Sequence, residues 1–132
     1  MGEKTLVESQ IVDSIKLIKQ LDSNGYQPSL AVWYYYGDTD EWRLVIAGKK
    51  FDEHLPKQEP LAYLAIAEAI NEIDLSSINI SDVKIMKSDE PLPRAIKSLV
   101  GTNPTELIRA SFINNTINGI FIKEMFVLRS GK

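Results

Sequence analysis

The chain has 132 residues, 44% hydrophobic and 25% charged, with a formal charge of −3 and a pI near 5.2. That is enough chain for one domain with a real core, and too acidic for a protein whose main task is to grip phosphate backbones. With no cysteine and a single histidine, His54, disulfides, cysteine-ligated metal centres, thiol nucleophiles and paired-histidine metal sites are excluded.

The opening MGEKTLVESQ lacks the apolar core of a secretion signal, and no stretch reaches the ~18 apolar residues of a membrane span. Leu6 stands where a myristoylation signal needs Ser or Thr. The expectation is a soluble, cytoplasmic protein with no membrane contact. The first element is a helix over residues 5–23, on whose apolar stripe Val7, Ile11, Ile15 and Ile18 recur. Asn24-Gly25 stops it, because glycine accepts the left-handed conformation a helix end requires.

The stretch Ala31–Gly48 holds both tryptophans and three of the five tyrosines. It reads as strands over 30–36 and 41–47 around the polar turn Gly37-Asp38-Thr39-Asp40. Residues 49–58 read as a polar loop. Pro60 opens an alanine-rich helix over 60–73. A short strand over 82–87 follows, then a helix over 92–100 with Pro91 in its first turn. Arms over 107–113 and 120–128 make the last hairpin, with Asn118-Gly119 as its turn and an interruption at Asn114-Asn115. Residues 130–132 read as a frayed tail. The order α-β-β-α-β-α-β-β, without repeats or linkers, predicts one α+β domain spanning residues 1–132. Its form would be a two-layer αβ sandwich on a mixed sheet of about five strands. The middle helix would cross over between parallel strands, and both hairpins would be antiparallel.

No catalytic pattern is recognisable: there is no G-x-S-x-G elbow, no Walker loop and no dinucleotide fingerprint. Asp38, Asp40 and Glu41 put three carboxylates within four residues, a set that could hold Mg²⁺ or Ca²⁺. Gly, Asp and Thr are equally the residues that make a polar turn. His54 beside Asp52 and Glu53 is a candidate base, and Arg94, Lys97 and Arg109 are candidate anion contacts. The set Asp38, Glu41, Lys49 and Lys50 invites comparison with PD-(D/E)xK nucleases. Here Glu41-Trp42-Arg43 puts Arg where those enzymes have the water-activating Lys, and no Pro-Asp precedes it.

Strand alternation sends Trp33 and Tyr35 to one face and Tyr34 and Tyr36 to the other, while one helical layer covers one face. An aromatic pair is therefore expected at the surface, where large exposed aromatics mark an interface. Trp33, Tyr34, Tyr35 and Tyr36, with Phe121 and Phe126 of the last hairpin, are the interface candidates. The function expected is a non-enzymatic interaction module, a homodimer or the partner of another protein, with no cofactor and no nucleic acid. The alternatives are a metal-dependent hydrolase or nuclease on Asp38, Asp40 and Glu41, and a small-ligand site lined by Tyr34, Tyr36 and Trp42. The segments EWRLVIA and NGIFIKEMFVLR resemble those of small bacterial proteins with no assigned activity. The likeness extends over most of the chain in layout, implies an α+β fold, and brings no site residues.

Overall fold

Helix α1 (Glu8–Ser23) starts where the Gln10 side chain reaches back to accept the Val7 N–H at 3.1 Å. It ends in a Schellman turn: Gly25 sits at φ 86, the Tyr26 N–H donates to the Leu21 carbonyl and the Gly25 N–H to that of Asp22. The computed structural model describes residues 5–131. Within them β1 (Leu30–Tyr36) and β2 (Glu41–Ala47) pair antiparallel, Tyr36 opposite Glu41, in the bounds the sequence predicts.

The predicted loop after β2 contains a single turn, α2 (Lys49–Asp52), pinned by the fully buried Phe51. Helix α3 (Glu59–Asn71), with proline in its first turn, crosses to β3 (Val83–Ile85), which pairs parallel with β2. After α4 (Pro91–Leu99) come β4 (Ala110–Ile117) and β5 (Ile120–Ser130), an antiparallel hairpin. Its turn residues Asn118 and Gly119 lie at φ 50 and 79, the two positive values a type I′ turn demands. The result is an α+β fold on a five-stranded mixed sheet of order β3-β2-β1-β5-β4. Among the described residues no helix is long and apolar enough to cross a membrane.

One sheet face, bearing Ala31, Trp33, Leu44 and Ile46, packs on α1 through Leu17, Ile18 and Leu21 and on α3 through Ile66 and Ala69. The other face, bearing Leu30, Val32, Tyr34, Val45 and Val127, closes around Ile96 of α4, with Leu92 and Val100 against it. Helix α4 thus adds partial cover to the face that the two-layer reading leaves open. The stripe Leu92, Ile96, Val100, four residues apart, is the reason: an amphipathic helix needs an apolar surface to lie on.

Two details depart from the sequence reading. Ser130 and Gly131 are not frayed. Ser130 is buried, donates its hydroxyl to the Val100 carbonyl at 2.7 Å and its N–H to Thr102 Oγ1, while the Gly131 N–H donates to Ser29. Lys132 lies outside the described residues. The predicted interruption at Asn114-Asn115 is a local irregularity inside a continuous β4. Asn114 adopts φ 54, its position is skipped in the ladder, and alternation slips there. The register is the same on either side of it, Ile113 opposite Glu124 and Asn115 opposite Ile122, and on β5 Met125 and Ile122, three residues apart, both reach the second core.

Candidate functional site

The sheet order decides the aromatic candidates. Strand β1 runs between β2 and β5, so its edges are hydrogen-bonded, while α1 and α3 pack on one face and α4 partly covers the other. Trp33 is fully buried and donates Nε1–H to Ser14 Oγ at 3.0 Å. Tyr35 is buried, donates its hydroxyl to Asp40 Oδ1 at 2.7 Å and packs tilted against Trp42. Tyr34 is buried and meets Tyr36 edge-on, centroids 4.9 Å apart. Phe126 is partly buried against the first core. The aromatics of β1 thus pack within their own chain, Trp33, Tyr34 and Tyr35 buried and Tyr36 partly so. Of the six candidates, Phe121 alone is largely exposed, at 58%. The proposed ligand trio is split as well: Trp42 goes with Tyr35 on one face, Tyr34 with Tyr36 on the other.

The carboxylates of the first turn do not converge. Asp40 is held by Tyr35, and Glu41 leans toward Arg43 at 3.6 Å. Among the described residues no three His, Asp or Glu side chains gather closely enough to hold a metal ion. His54 is half-buried, with Nε2 3.2 Å from the Tyr26 hydroxyl and Nδ1 buried without a hydrogen-bond partner among the described residues. The three candidate anion contacts are dispersed. Arg109 pairs with Glu8 at 2.7 Å, and Lys97 donates to Ser29 Oγ at 2.9 Å, strapping α4 to the start of β1. Burial holds the Lys97 ammonium below the usual lysine range, against the opposing pull of Asp52.

Two surface features remain. The first is the β4–β5 hairpin. Strand β4 is an edge of the sheet, and none of its residues from Ala110 to Ile117 is charged. Natural edge strands are commonly guarded by charge, proline or a bulge; here the irregularity at Asn114 is the guard. On this hairpin Ile113 is 61% exposed, with Phe121 close to it in exposure.

The second feature is a cleft of about 530 Å³ at the tip of the first hairpin, against edge strand β3. Tyr36, Asp38, Glu41 and Arg43 come from the hairpin, Tyr63 from α3 and Lys84 from β3. Arg43 is oriented by donating Nη1–H to the Ser81 carbonyl at 2.8 Å. Tyr63 is oriented by accepting the Ile85 N–H at 3.0 Å. The Lys84 ammonium lies 5.3 Å from the Tyr36 ring centroid. Burial first, then the adjacent Tyr34, push the Tyr36 phenol above the ordinary tyrosine range. From sequence, Asp38 and Glu41 read as turn residues or candidate metal ligands; nothing there brings Lys84 and Tyr63 to the same place. Compared with known proteins, the chain matches no protein-family model, no curated protein and no solved structure.

Proposed function

We propose that the protein is a non-enzymatic interaction module that associates with a second copy of itself through the β4–β5 hairpin. The observation that carries this reading is the coincidence on one hairpin of an uncharged edge strand with two large, mostly exposed apolar side chains, Ile113 and Phe121. Exposed apolar patches on a soluble surface favour burial in an interface. A two-fold axis is the simplest way to satisfy one self-complementary patch. The neutrality of β4 suits such an axis, since no like charges would meet across it. Asn114 interrupts the regular backbone of the edge midway, at φ 54, so the contact rests on the apolar side chains more than on a long backbone ladder. A cytoplasmic setting suits a chain without cysteine.

Light scattering coupled to size exclusion tests this. The wild type should run at twice the 14.9 kDa chain mass, and the double variant Ile113→Lys/Phe121→Lys at the chain mass with unchanged circular dichroism. Both positions are exposed, so the substitutions leave the core intact. A wild-type chain that stays monomeric at every concentration, or a double variant that still dimerises, overturns the reading.

A further inference from the structure

The cleft at the first hairpin has no part in that association and stands on its own observations. Its volume of about 530 Å³ lies within the roughly 300–1,000 Å³ of small-molecule sites. Its charges balance: Asp38 and Glu41 against Arg43 and Lys84. Glu41 and Arg43 approach each other only at 3.6 Å. Among the described residues Asp38 and Lys84 have no ion-pair partner. The site therefore offers one carboxylate without an ion-pair partner, one ammonium whose contact is the Tyr36 ring, and a loosely held pair among the same lining residues. A purely anionic ligand would meet Asp38 and Glu41 unfavourably, and a purely cationic one would meet Arg43 and Lys84. A molecule carrying both signs avoids both conflicts.

Hydrogen-bonding capacity is also held in reserve here. The Tyr63 oxygen accepts from the Ile85 N–H, which leaves its hydroxyl proton to donate. At the cleft the Tyr36 hydroxyl is buried without a hydrogen-bond partner among the described residues, an unsatisfied polar group of the kind that folded proteins seldom leave unexplained. We propose that this cleft binds a small zwitterion, a molecule of amino-acid type whose carboxylate is received by Lys84 and Arg43 and whose ammonium is received by Asp38 and Glu41.

Calorimetric titration with the twenty common amino acids, with acetate and methylammonium as single-charge controls, tests it. At least one amino acid should bind, and either control should bind at least about tenfold more weakly. Lys84→Gln and Asp38→Asn should each weaken that binding by about tenfold or more. Neither residue is part of the core, so the melting temperature of each unliganded variant should match the wild type. No binding by any amino acid, equal binding by a single-charge control, or full binding by both variants overturns the proposal.

Discussion

Arg129 shows how much one side chain can organise. It is fully buried, and all five of its N–H groups are used. Nη1 and Nη2 form a two-pronged pair with Asp22 at 2.9 Å each. The same nitrogens donate to the carbonyls of Pro28 and Thr105, and Nε donates to that of Glu106. One guanidinium thereby ties the last turn of α1, the entry to β1 and the segment before β4. Planar, five-fold donation of this kind is within reach of arginine and not of lysine. The burial is safe only while every partner is present, because removing one member of a buried pair strands the other charge. Arg129→Met should cost about 3–5 kcal/mol of stability in urea unfolding, and Arg129→Met/Asp22→Leu less than the sum of the single changes. A shift in Arg129→Met below about 1 kcal/mol, the value of an exposed pair, would show that the network is dispensable. Nothing in the sequence marks this arginine. It stands between the predicted arm over 120–128 and the tail Ser-Gly-Lys, and Asp22 is 107 positions away.

At the scale of elements, legibility followed local chemistry. Strands β1 and β2 are readable to the residue because a β-branched and aromatic run sits between Pro28 and a Gly-Asp-Thr-Asp turn. Turn α2 is not readable: four residues are too few for a period, and its cause is the burial of Phe51. The candidate sites were the least legible part. Which aromatics stay exposed depends on what covers each face, and the cue was the apolar stripe of α4 rather than anything in β1. The cleft depends on the parallel register that sets Lys84 beside Val45, which no local pattern encodes. The type I′ turn is legible and testable. Gly119 lies at φ 79, and a Cβ built there would meet nothing within 4 Å. The main penalty of Gly119→Val is therefore one of backbone conformation, about 1–2 kcal/mol or somewhat more for a β-branched residue. Urea melts should show that loss with the fold retained. Unchanged stability would mean that the hairpin does not need the left-handed conformation at this position.

For the molecule as a whole, covering both sheet faces places two phenols and one ammonium in partly dry surroundings, and global stability must record this at alkaline pH. Burial raises Tyr34 and Tyr36 above the ordinary value of about 10. Below that value folded and unfolded chains are both protonated there, and the contribution is fully present. Above it the unfolded chain releases protons that the native chain retains, so stability falls as pH rises through the native values. Lys97 acts with the opposite sign. Its native value is lowered by burial, so the unfolded chain binds the extra proton, and stability rises with pH up to about 10.4, the ordinary lysine value. Two phenols against one ammonium predict a net decline as the pH rises above about 10. Tyr36→Phe isolates one phenol, and because that hydroxyl has no hydrogen-bond partner among the described residues, its removal should leave neutral-pH stability unchanged or slightly higher. Urea midpoints measured from neutral to alkaline pH should then show a shallower decline in Tyr36→Phe than in the wild type. A variant that loses stability at neutral pH would reveal a hydroxyl that is in fact paired, and one that declines as steeply as the wild type would place the alkaline transition elsewhere in the fold.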